Sequence, residues 1–200
     1  MSTRDRELVA RASRGDVDAF SKLVRTHGGL VHRVALRTLG SEEGRDASQE
    51  VWIRVWSNMK SFRGESAFST WLYRITVNTC LSFRHRKSRQ EEREVGEEAS
   101  YLPEPSGGDT DPEAAALNSE PRGEIRSALS TVRAEHRAAL VLRHMEGLSY
   151  AEIAEVLDVP DGTAKGWANR GRAAMLVALL QEGERDRSES VGGETVRLDR

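Results

Sequence analysis

Cysteine is almost missing from this 200-residue chain: Cys80 stands alone, so no internal disulfide can form, and no CxxC pair or Cys/His cluster offers zinc-ligand spacing. Cys80 is read as a small, partly buried residue. Long apolar runs are missing too. AALVL at 138–142 and MLVALL at 175–180 fall well short of the ~20 residues that span a bilayer, so no membrane insertion is expected. The opening MSTRDRELVARASRGD has neither an apolar core stretch nor a small-residue cleavage site, and a cytoplasmic location is expected. There is no glycine-rich phosphate loop, nucleophile elbow or HExxH. The five histidines, His27, His32, His85, His136 and His144, belong to no ligand pattern. Neither catalysis nor a metal or cofactor is expected.

An excess of positive charge is also lacking. The net charge of -2 and pI near 6.3 look wrong for a protein that binds nucleic acid, whose footprint should be basic. The sum hides a segregation. Residues 88–121 hold ten acidic side chains against Arg89 and Arg93, whereas Arg84, Arg86, Lys87 and Arg89 cluster just before, and Lys165, Arg170 and Arg172 cluster later. Each basic cluster can meet phosphate locally.

What is present is helical period. Proline is scarce, and four of five lie in 88–121 with Gly107-Gly108 and no apolar period, so this segment is read as a flexible acidic linker. Before it, helices are expected at 4–13, 16–39, 45–60 and 66–86, with His27-Gly28-Gly29 weakening or kinking the second by ~1 kcal/mol per glycine. After it, helices are expected at 122–130, 134–145, 149–157 and 162–180, with Ser149 and Glu152 forming a capping box. Strand-like alternation does not appear. The expected fold is all-α: two small helical domains, 1–87 and 122–182, joined by the linker 88–121, with a frayed tail at 183–200.

In SYAEIAEVLDVPDGTAKGWANRGRAAM at 149–175, Ile153 and Leu157 face a core, Ala154 is small enough for close packing, and a turn with Pro160 and Gly162 leads into a second helix. That helix bears Lys165, Trp167, Asn169, Arg170 and Arg172, the layout of a helix-turn-helix whose second helix enters the major groove. The bland alternative is a helical hairpin in a bundle. In the first half, Phe68, Trp71, Leu72 and Ile75 repeat at helical spacing, as do Val51, Val55 and Met59 beside Trp52 and Trp56. The tryptophans are read as core before stacking platforms, and the basic residues 84–89 have a solvated helix end as their alternative reading.

SFRGESAFSTWLYRITVN at 61–78 resembles the second conserved region of bacterial sigma factors of the extracytoplasmic-function family, and LVLRHMEGLSYAEIAEVLDVPDGTAKGWANRGRAAM at 140–175 resembles their fourth. The resemblance implies a subunit that binds core RNA polymerase and directs promoter-specific initiation. It assigns Phe62, Arg63, Ser66, Trp71, Arg74, Asn78, Arg84 and Arg86 to the minus-ten element, where an unstacked base needs an apolar surface with polar groups at its edge. It assigns Lys165, Trp167, Asn169, Arg170 and Arg172 to the minus-thirty-five element, and Asp46, Gln49, Glu50 and Arg54, on one polar helix face, to the clamp of core polymerase. An anti-sigma partner is also implied.

Several residues depart from the family pattern. Asp158 stands where glycine is common, Trp167 where arginine is usual, and Ala164 and Ala168 where larger anchors are usual, while Gly166 and Gly171 interrupt the helix. A looser recognition helix is expected. Two rival readings stay open: a stand-alone helix-turn-helix regulator, and a sigma-like interaction protein with impaired minus-thirty-five reading.

Overall fold

The computed structural model describes residues 3–94 and 120–192, and every long element among them is an α-helix. The first half comprises α1 (Thr3–Ala12), α2 (Val17–Leu39), α3 (Ser41–Asn58), a 3-10 turn (Met59–Ser61) and α4 (Phe68–Glu94). The second comprises α5 (Glu120–Thr131), α6 (Ala134–His144), α7 (Tyr150–Leu157) and α8 (Asp161–Gly192). The all-α expectation holds.

α2 begins where Asp16 accepts the Ala19 backbone N–H at 2.9 Å. This bond and the Arg11 guanidinium hold the Asp16 carboxyl below its usual range. The expected weakness at His27-Gly28-Gly29 is not a break, since α2 runs unbroken. Leu23, Val31 and Val34 are fully buried along one side, and His27 sits edge-on to Phe68 at 5.2 Å. Such packing offsets the glycine cost, because most helix stability in a protein is tertiary. At Gly44 a Cβ would lie 2.8 Å from Leu36 Cα, so the start of α3 closes directly on the end of α2.

Both long helices outrun their expected ends. α4 reaches Glu94 because KSRQEERE at 87–94 contains no helix breaker. α8 continues to Gly192 into the stretch expected to fray. Most of the expected linker, 95–119, and the last eight residues lie outside the described residues. α7 opens with the expected capping box, Ser149 and Glu152 each bonding the other's backbone. It closes on Asp158 at φ 54°, a left-handed position where an aspartate in place of glycine is tolerated.

What periodicity could not show is how the halves meet. Val34, Tyr73 and Val77 of the first half share one apolar cluster with Leu142, Leu148, Ile153 and Ala154 of the second, so α4 packs along α7. Two polar clasps close the same seam. Glu146, its side chain only 3% exposed, accepts from the Arg33 guanidinium at 3.2 Å, from Arg37 Nη1 at 3.4 Å and from the Tyr73 hydroxyl at 2.9 Å. In the opposite direction, buried Arg137 of α6 donates to the Thr38 carbonyl at 2.8 Å and to the Val132 carbonyl at 3.0 Å. Burial lowers the Arg137 pKa to about 10, so the guanidinium stays charged at neutral pH. Its seat at the end of α2 suits a cation, because the last carbonyls of a helix carry partial negative charge.

Candidate nucleic-acid interface

The loop between the 3-10 turn and α4 is anchored by aromatic packing. Phe62 lies half-buried, with ring centroids 5.1 Å from Trp71 and 5.7 Å from Phe68. Trp71 itself is 7% exposed and Phe68 1%. Trp71 is thus the core residue that its helical period suggested; among the residues assigned to the minus-ten element it is the buried one, its ring packed against Phe62. Gly64, at φ 75°, makes the turn that leaves Arg63 protruding, with only a 4.0 Å approach to Glu65 in a fully wet setting. Ser66 is half-buried at the loop's return.

Beyond the loop, Arg74 and Asn78 are exposed one turn apart on α4, about 100° round the helix from buried Tyr73 and Val77. The loop supplies an aromatic ring, a hydroxyl and a guanidinium group, and α4 supplies an amide and a second guanidinium. That inventory can hold an unstacked base and the phosphates on either side of it. The basic end of α4 is less free than its sequence suggests. Arg86 donates to Glu50 at 3.0 Å and lies over the Phe83 ring at 4.4 Å, Lys87 pairs with Glu43, and Arg84 is half-buried.

Glu50 is thus shared between two expected surfaces. It also pairs with Arg54 one turn on, and these cations lower its carboxyl pKa although burial opposes them. Asp46 and Gln49 are exposed beside it. The surprise on α3 is apolar: Ile53 is 67% exposed and Trp56 38%, with Trp56 resting on Phe20 at 4.8 Å and Trp52 half-buried at 5.9 Å from the same ring. Val17, 63% exposed, stands one turn before Phe20. The reading of Trp56 as core is corrected; it belongs to the surface. A signal was available, because the run VWIRVW at 51–56 puts apolar side chains around far more of the helix than Val51 and Val55 need to reach the core.

In the second half, Lys165, Asn169 and Arg172 are exposed at i, i+4 and i+7, one face of α8. Ala164, Ala168 and Gly171 line a second face about 100° round the helix at the same period, the two alanines with no exposed surface. A Cβ on Gly171 would lie 2.6 Å from the His136 carbonyl oxygen of α6. α8 is an unbroken helix through Gly166 and Gly171, and its small residues let it sit against α6. Trp167 and Arg170 form a third strip beside a cleft of about 450 Å³ completed by Arg133, Glu135 and His136.

The remaining reactive groups are inert. Cys80 is wholly buried, and burial pushes its thiol up to about 12. Among the described residues, no group of histidines, cysteines and carboxylates could hold a metal, and no helix is long and apolar enough to cross a membrane.

Two family models match the chain, Sigma-70 region 2 over residues 23–90 and Sigma-70 region 4 over 122–175. The extracytoplasmic-function RNA polymerase sigma-E factor of Haemophilus influenzae is 36% identical over 172 residues, covering 84% of this chain and 91% of its own length. The sigma-H factor of Pseudomonas aeruginosa is 34% identical, covering 88% of this chain and 94% of its own. Among solved structures, the sigma factor RpoE in complex with the anti-sigma factor NepR from Bartonella quintana aligns with a TM-score of 0.60 at 21% identity, over 80% of this chain and 96% of that one. CnrH in complex with the cytosolic domain of CnrY aligns with a TM-score of 0.59 at 24% identity, over 90% of this chain and 99% of that one.

Proposed function

The chain belongs to the sigma-70 family, among its extracytoplasmic-function sigma factors, and on that premise we propose how its surfaces divide the work. As such a factor it binds core RNA polymerase and directs transcription initiation, and it is not an enzyme. The minus-ten surface is the loop bearing Phe62, Arg63 and Ser66 with the α4 face of Arg74 and Asn78, supported from beneath by Trp71; Arg84 and Arg86 meet the backbone beyond it. α8 takes the minus-thirty-five element, through the face of Lys165, Asn169 and Arg172 and through Trp167 and Arg170, which project from another side of the same helix. On α3, Asp46, Gln49, Glu50 and Arg54 rim the polymerase contact, and Ile53 and Trp56 form its apolar centre. A polar rim around a desolvated aromatic anchor is the usual anatomy of such a contact.

The observation that carries this reading is the half-buried Phe62 ring seated on Trp71, in a loop that also exposes Arg63. A free-standing helix-turn-helix regulator needs no such surface.

The seam between the halves opens on promoter DNA. The two promoter elements are separate sites on the duplex, whereas α4 and α7 are in contact in the closed form. An anti-sigma partner acting in the cytoplasm holds or replaces this closed form.

Transcription with purified core polymerase, on a promoter found by mapping the protein on its genome, tests the assignment. Asn78→Ala should reduce open complexes with little effect on core binding, and Arg170→Ala should weaken promoter engagement. Transcription from both variants equal to wild type, at limiting protein, would show that the DNA surfaces lie elsewhere.

A further inference from the structure

We infer that His136 is a positioning residue for Arg170, fixing its guanidinium for promoter contact from a neighbouring helix. The inference rests on the reading of α8 as the minus-thirty-five surface. Arg170 Nε donates to His136 Nε2 at 3.3 Å, and the guanidinium lies back along α8 over Gly166, where a Cβ would come just into contact at 3.4 Å. The His136 ring stands 6.3 Å from the Trp167 ring across the cleft. Gly171 sets the separation: its missing side chain lets α8 close on the His136 carbonyl, which brings the imidazole of α6 within reach of a side chain one residue earlier on α8.

The consequence is preorganisation. A long exposed arginine normally loses rotamer freedom when it docks on DNA, and one already held in place loses less. Trp167 stands where the family usually has arginine, so Arg170 carries more of the contact in this chain. The residues that look like departures, Gly166, Trp167 and Gly171, then belong to one local arrangement with His136.

The arrangement has a chemical requirement that can be tested. Imidazole accepts a hydrogen bond only when neutral; protonated, both its nitrogens donate and its charge repels Arg170. Burial first, then Arg170 and Arg133, lower the His136 pKa from its ordinary 6.5, while Glu135 opposes them, held by Arg133 at 2.9 Å. His136 is therefore an acceptor at neutral pH and loses that role as pH falls below its ordinary value.

Two measurements on the full-length protein decide the matter. In NMR titrations, Arg170→Ala should raise the His136 pKa, and an unmoved value would overturn the contact itself. Promoter affinity of the holoenzyme is then followed from pH 8 to pH 5.5 on a fragment recovered by genome mapping. His136→Leu should weaken binding about threefold to tenfold at pH 7.5, the range of one misplaced polar contact. His136→Gln, whose amide oxygen still accepts, should bind within about twofold of wild type. Wild type should lose more affinity on acidification than His136→Gln. Tighter binding of wild type at low pH relative to His136→Gln would mean that His136 meets phosphate directly, and would sink the positioning role. If Arg170→Ala binds promoter as wild type does, the premise that this strip of α8 faces DNA fails with it, whatever the titration gives.

Discussion

The core of the first half is filled by large side chains: Phe68, Trp71, Leu23 and Met59 are buried together, with Phe20, Trp52 and Phe62 packed on them. Where α8 meets α6 in the second half, the inner surface is Ala164, Ala168 and Gly171. Rings hold the first four helices apart and fix a loop from below, whereas small residues bring two backbones together and fix distances between side chains on different helices. The same size change should therefore have opposite consequences in the two halves. Removing volume damages the first, and adding volume damages the second.

The largest expected effect is Phe68→Ala. It empties a site that supports both Trp71 and Phe62, and should cost ~3–5 kcal/mol in chemical denaturation while releasing the loop at 62–67. A loss below ~1 kcal/mol would mean that the aromatic layer is not the frame of this half. Gly171→Leu comes next. With a backbone oxygen 2.6 Å from its Cβ, α8 must move off α6, and a cost of about 2–3 kcal/mol is expected with loss of the Arg170–His136 contact. Gly166→Ala is the control, since its Cβ would touch only the end of the flexible Arg170 side chain; it should be neutral or slightly stabilising through helix propensity.

Glu146→Gln probes the seam between the halves. Arg33 and Arg37 keep access to water, so the loss should be modest, ~1 kcal/mol, but the closed form should open measurably in small-angle scattering or between dyes placed on the two halves. The seam also has an alkaline limit. Burial, followed by the neighbouring Glu146 carboxylate, raises the Tyr73 phenol well above its ordinary 10.0. An acid whose folded pKa is raised stabilises the folded form below its unfolded value and loses that contribution as pH rises through the folded one. Stability should fall above pH 10 in wild type and less so in Tyr73→Phe. The smallest change in stability belongs to Trp56→Ala, which leaves the inward Val51 and Val55 untouched. Its affinity for core polymerase should nevertheless drop about tenfold, and unchanged core binding would reduce the α3 patch to an ordinary exposed surface.

Much of the fold was readable because it is local. The cap at Ser149 and Glu152, the position of the helix-turn-helix and the absence of strands depend on residues within one or two turns of each other. Less of the candidate site was readable. Arg63, Arg74, Asn78, Lys165 and Asn169 are exposed and Trp71 is buried, as expected, but Trp56 is on the surface. Helical period says which residues share a face without saying which face meets a neighbour. For α3 the apolar arc is wide enough that only the neighbours decide. The pairing of Arg86 with Glu50 on α3 was not readable, because sequence spacing cannot place the two helices side by side.

The sequence by itself determined the helices, the family and the chemical inventory of each surface, since periodicity, capping and motif spacing act over short distances along the chain. Only the tertiary structure decided that α4 would lie along α7 over a buried Glu146, and that Gly171 would bring His136 to Arg170. Those outcomes turn on contacts between residues 34 to 113 positions apart, settled by which surfaces exclude water together and which backbones can approach closely.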